Sequence, residues 1–131
     1  MTNEHSKQQF TLKNDKYRKE RGGTAKFFNI SCASCGTWVL LYQKDGPGNL
    51  LRFYLNRVFA PPHLAELQDK GFQRPQDMEN LICPHCGKLI GTPMRHLDDR
   101  LAYRLQRGSF SKEKSDGTYP LEITPETEEK E

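Results

Sequence analysis

Two stretches of this chain repeat one pattern of chemistry-bearing residues: Ile30-Ser31-Cys32-Ala33-Ser34-Cys35-Gly36 and Leu81-Ile82-Cys83-Pro84-His85-Cys86-Gly87. They contain all four cysteines of the 131-residue sequence. Two residues between thiolates let both sulfurs reach one ion while the N–H groups of the turn point at them. The glycine that follows each pair supplies the permissive backbone such a knuckle needs. Two knuckles, each ending a strand, present four thiolates tetrahedrally. Cys32, Cys35, Cys83 and Cys86 are therefore predicted to hold one Zn²⁺ per chain. Four thiolates also suit a single iron, and residue types alone do not choose between the two metals. Residues 36–82 separate the pairs, a longer gap than the roughly 15–20 of a compact site. A hairpin and a short helix can be read inside that gap and account for its length.

Thiol–disulfide exchange is the competing chemistry. Cys-Pro-His-Cys is also an active-site sequence in thioredoxin-fold oxidases, where flanking groups lower the pKa of the first thiol. That chemistry needs the motif at a helix start inside a βαβ frame. Here Gly87 follows at once, no helical pattern comes next, and the second pair would be idle. His85 accordingly reads as an exposed knuckle residue. His63, His96 and the Asp98-Asp99 pair are the other polar candidates. His63 opens the expected helix, and "RHLDDR" reads as a charged turn whose arginines neutralise the two aspartates. No Gly-rich phosphate loop, nucleophile elbow or His-Glu metal motif is present. A four-thiolate zinc leaves no open position for water, so no enzyme is expected.

The elements that position the knuckles read mainly as strands. "TAKFFNIS" leads into the first pair and "GTWVLLYQK" leaves it, rich in aromatic and β-branched residues. "DGPGN", residues 45–49, fits a hairpin connection. "LLRFYLNRVF" alternates, with Leu51, Phe53, Leu55 and Phe59 on one face and Arg52, Tyr54 and Asn56 on the other. Arg57 breaks the apolar face, so the register is expected to end or bulge there. "PPHLAELQDKG" is the one helix signal, with proline at its start and Gly71 as its cap. "RLAYRLQRG" alternates again, Leu101, Tyr103 and Leu105 against Ala102, Arg104 and Gln106.

Hydrophobic residues are 34% and charged residues 28% of the chain, the polar end for a packed domain, and so small a core usually needs a staple. The net charge of +3 is unevenly spread. Residues 1–26 hold seven Lys/Arg against three acids, and residues 112–131 hold three against seven. Both ends lack sustained periodicity and are read as disordered tails. The expected organisation is a basic tail at 1–23, a domain at 24–110 and an acidic tail at 111–131. No apolar run is long enough for a membrane helix, and no export signal is apparent. A cytoplasmic, reducing compartment is therefore expected, which disfavours structural disulfides.

The paired Cys-x-x-Cys-Gly knuckles resemble those of zinc ribbons, found in transcription factors, ribosomal proteins and many small prokaryotic proteins. The wide spacing and β-rich context are also similar to a broader zinc-bearing β-fold that includes methionine sulfoxide reductase B and small exchange factors. Those reductases need a further catalytic cysteine, and formaldehyde-activating relatives a second cysteine cluster. This chain has neither. The resemblance implies a small β-rich zinc ribbon with an extended insertion between its knuckles and one short helix. Its expected role is a binding module without enzymatic activity. Arg52, Tyr54 and Arg104 on exposed strand faces, with Lys88 and Arg95 near the second knuckle, are the expected contacts to nucleic acid. Basic residues interleaved with an aromatic hold phosphates and stack bases, RNA or a ribonucleoprotein more than DNA. A protein–protein adaptor is the alternative, since a solvated sheet face also carries such residues.

Overall fold

Phe10 and Leu12 run along the outside of a β-sheet, where they cover apolar side chains. The computed structural model describes residues 9–120. Within them, eight strands form two antiparallel sheets, the mainly-β class the sequence predicts. The strands are β1 (Ala25–Cys32), β2 (Trp38–Asp45), β3 (Arg52–Tyr54), β4 (Val58–Ala60), β5 (Leu81–Ile82), β6 (Leu89–Arg95), β7 (Leu101–Leu105) and β8 (Phe110–Ser115). One sheet runs in the order β4-β2-β1-β8 and the other β3-β7-β6-β5. Two short helices, α1 (Lys16–Glu20) and α2 (Pro62–Ala65), lie between strands and at the N-terminal edge. No described helix is long and apolar enough to cross a membrane.

The two sheets face each other across one core, with Ile30, Leu40 and Tyr42 from the first meeting Phe53, Ile90 and Tyr103 from the second. The first sheet is also covered on its outer face. Phe27, Trp38, Leu41 and Ala60 pack there beneath Phe10, Leu12, Phe59 and Tyr119. Double coverage explains why β2 is buried at six successive positions, Trp38 to Gln43, instead of alternating.

The outer layer corrects the expected domain boundaries. Residues 9–23 and 111–120 belong to the folded unit. The Phe10 N–H donates to the Gly117 carbonyl at 3.0 Å, Tyr119 stacks on Trp38, and β8 extends the sheet by pairing with β1 from Cys32–Phe110 to Phe27–Ser115. β8 reads as polar because it is an edge strand with one partner, and charged residues suit such edges. The N-terminal segment reads as polar because two apolar residues and one buried ion pair are enough to fix it. Residues 1–8 and 121–131 lie outside the described residues.

The expected long strand at 50–59 divides where Arg57 interrupts it. A 3₁₀ turn, Leu55–Arg57, separates β3 from β4. Leu51, placed on the apolar face by alternation, is 58% exposed, because β3 begins only at Arg52. The helix signal at 61–71 is realised as α2 followed by a 3₁₀ turn over Glu66–Asp69. Gly71, as expected, adopts a left-handed conformation.

Candidate functional site

Each knuckle is the turn of a hairpin. The first joins β1 to β2, with Ser31 opposite Trp38, and the second joins β5 to β6, with Ile82 opposite Leu89. The two turns use the same hydrogen bonds at matching positions. The Cys32 N–H donates to the Thr37 carbonyl (2.9 Å) and the Gly36 N–H to the Cys32 carbonyl (2.8 Å). The Cys83 N–H likewise donates to Lys88 (2.9 Å) and the Gly87 N–H to Cys83 (3.0 Å). Two residues after each first cysteine, the N–H of Ser34 and of His85 points at Cys32 Sγ and Cys83 Sγ, both at 3.4 Å. Gly36 and Gly87 take φ of 80° and 78°, a region that a side chain disfavours.

The turns bring the four sulfurs together. Cys32 Sγ lies 3.6 Å from Cys86 Sγ, and Cys35 Sγ lies 3.5 Å from Cys83 Sγ. All four lie within 4.8 Å of one another. Disulfide sulfurs sit about 2.05 Å apart, and all four cysteines are free. A tetrahedral ion with metal–sulfur bonds of about 2.3 Å spaces its ligands about 3.8 Å apart. The donor set and its spacing therefore fit a metal ion. Cys32 and Cys83 are buried in the central core, Cys35 is half-buried and Cys86 is exposed. Since one hairpin belongs to each sheet, an ion held here would join the two sheets at one end of the core.

Local electrostatics divide the thiols. Hydrogen bonding with the Thr37 hydroxyl, then with its backbone, brings Cys35 down to about 6. Burial pushes Cys83 up to about 11. A coordinating cation overrides the second effect, because a ligated thiol is deprotonated outright.

The five residues expected to contact nucleic acid are not brought together as one set. Arg52 and Arg104 are: they sit directly opposite each other on β3 and β7. Both line a concavity of about 550 Å³ with Arg107, Leu50, Leu51 and Phe110, and no carboxylate lines it. Lys88 is exposed at the second knuckle, away from that concavity. Arg95 is held by the Asp99 carboxylate and carbonyl and by the Gln73 carbonyl, and borders a different hollow, beside the 3₁₀ turn that follows α2. Tyr54 is already stacked. The Arg100 guanidinium lies 3.7 Å from its ring centre and 3.8 Å from that of Tyr17, and His96 packs against it edge-on. The Asp98-Asp99 pair is neutralised as expected, by Arg100 at 2.7 Å and Arg95 at 3.3 Å.

Sequence reasoning missed Tyr17, Arg100, Arg107 and the lysines at 26, 44 and 112 as members of spatial groups. The signal available was weak: Lys26 and Lys44 flank a hairpin at positions whose pairing depends on its register. No protein family, characterised protein or solved structure matches this chain.

Proposed function

We propose that this protein is a non-enzymatic binding module, closed by one structural Zn²⁺, that holds single-stranded RNA or a ribonucleoprotein strand in the Arg52/Arg104/Arg107 groove. The observation that carries the reading is the position of Arg52 directly opposite Arg104 in a groove with no acid. Like charges directly opposite on a ladder destabilise it, and none of the ion pairs among the described residues involves these arginines. A polyanion offsets that repulsion. Leu50, Leu51 and Phe110 give the groove apolar surface against which bases can stack. Zinc suits the module because four thiolates fill a tetrahedral shell and leave no site for reactive water. The position of both Cys-x-x-Cys pairs in hairpin turns, not at helix starts, argues against thiol–disulfide exchange.

Two measurements test this. Elemental analysis should return one Zn²⁺ per chain, and a red iron-loaded protein would refute the choice of zinc. Fluorescence anisotropy on labelled single-stranded RNA should show affinity falling with salt at a log–log slope of about −0.7 per phosphate contact. Arg52→Glu with Arg104→Glu should abolish binding while metal content is kept. If the wild type binds no RNA at low salt, the nucleic-acid reading is wrong. The adaptor reading then takes its place, and the exposed Leu51 and Leu97 favour it.

A further inference from the structure

A second pair of like charges faces across a ladder in the other sheet: Lys26 on β1 lies directly opposite Lys44 on β2. Lys112 joins them from β8, its ammonium 5.4 Å from the centre of the Phe28 ring. The three lysines, Phe28 and the loop backbone at Gly46 and Gly48 line a concavity of about 380 Å³, again without a carboxylate. Asp45 is the acid whose charge acts on Lys44, and it is committed elsewhere. Its Oδ2 accepts from Arg57 at 2.8 Å and its Oδ1 from Gln43 at 2.8 Å. Lys44 itself donates to the Gly46 carbonyl at 2.7 Å, which leaves two of its three protons for a ligand.

Such a cluster is costly to the free protein. Same-sign charges opposite each other weaken a sheet, and here the ladder holds them in a hollow that no carboxylate lines. Burial, followed by the charges of Arg21, Lys112 and Lys26, holds the Lys44 ammonium below the ordinary lysine range. An oxyanion in the hollow offsets the repulsion among these cations and favours the charged ammonium.

The hollow also borders the arginine groove. Gly48 lines one and Asn49 the other, and Lys112 and Phe110, two residues apart and so on the same face of β8, belong one to each. We propose that the Lys26/Lys44/Lys112 hollow is a second phosphate-binding subsite that continues the Arg52/Arg104 groove, so that a single nucleic-acid strand crosses both sheets. This rests on the nucleic-acid reading of that groove. It adds that the ligand is a chain of several phosphates and that its path runs over the Gly46–Gly48 loop.

The test pairs oligonucleotide length with lysine removal. Labelled single-stranded RNAs of about 4 and about 12 nucleotides, the range of known small-domain footprints, are titrated against the metal-loaded wild type and Lys26→Gln/Lys112→Gln. Both lysines are exposed, and retained metal content with dispersed amide resonances confirms folding. The variant should lose about tenfold in affinity for the longer RNA, with a salt slope about 1.4 shallower, and keep its affinity for the shorter one. Equal affinities and slopes for variant and wild type on the longer RNA would overturn the proposal, and so would an equal loss on both lengths. A wild type that binds neither RNA refutes the groove reading instead. Titration with inorganic pyrophosphate then decides the subsite alone. Saturable shifts at the amides of Lys26, Lys44 and Lys112 uphold it, and their absence rejects it.

Discussion

Replacing Asp15 should unlock the N-terminal segment from the sheet beneath it. Arg57 is completely buried, and its guanidinium makes three charge-assisted bonds. Nη2 and Nη1 reach the two oxygens of Asp15 at 2.6 and 3.0 Å, and Nε reaches Asp45 at 2.8 Å. Asp15 also caps α1, accepting from the N–H groups of Tyr17 and Arg18. Breaking a buried pair costs about 3–5 kcal/mol where the remaining charge is left uncompensated; here Arg57 keeps Asp45 and loses two of its three bonds. The Asp15 side chain is 38% exposed, so solvent screening places its loss at or just below the lower end. Asp15→Ala also removes the cap, worth about 1 kcal/mol, for a total of about 3–4 kcal/mol. Asp15→Asn keeps a capping side chain and isolates the charge, so it should cost about 1 kcal/mol less. With a urea slope of about 1.5 kcal/mol/M, Asp15→Ala moves the midpoint down by about 2–2.7 M. Urea titration of the metal-loaded protein, followed by tryptophan fluorescence, measures both variants. The pH dependence provides a second check. Hydrogen bonding to Arg57 brings the Asp15 carboxyl from 3.8 to about 2. A depressed folded-state value means that its contribution is complete above about pH 4 and is lost as pH falls through about 2. Asp15→Asn should remove that loss. A destabilisation by Asp15→Ala of less than about 1 kcal/mol would refute the reasoning, since exposed ion pairs contribute no more than that.

Two further perturbations test the outer layer and the loop. Trp38, the single tryptophan, lies 5.1 Å from Tyr119 in a nearly parallel stack and donates to Asn29 at 2.9 Å. Tyr119→Ala should shift its emission to longer wavelength and cost about 1 kcal/mol or more, and an unchanged spectrum would show that Tyr119 does not cover it. Gly46 has φ of 74°, and a Cβ there would stand 2.7 Å from the Arg21 carbonyl oxygen, whereas Gly108, at 77°, has open space around it. Gly46→Ala should therefore destabilise the protein more than Gly108→Ala, which pays only the left-handed penalty of about 1–2 kcal/mol. Equal losses in thermal melts would remove the steric argument.

The sequence by itself determined the local features. Cys-x-x-Cys-Gly dictates a knuckle because the glycine conformation and the N–H to sulfur bonds lie within six residues of one another. Aromatic and β-branched enrichment on either side of the first knuckle, and alternation in 101–105, dictate strands for the same reason. Arg57 announced the break in its strand through its charge alone. Tertiary structure decided which distant groups meet. The two knuckles lie on different sheets, so the inter-sheet site depends on packing that no local pattern encodes. The folding of residues 9–23 depends on Asp15 finding Arg57, 42 residues away, and on a hydrophobic face that only double coverage of β2 reveals. Tyr54 by alternation and Arg95 by its nearness to the second knuckle were plausible contacts, yet stacking by Arg100 and bonds to Asp99 and Gln73 occupy them. Lys26 and Lys44 could be paired only once the hairpin register was known, because a shift of one residue would turn either side chain to the opposite face.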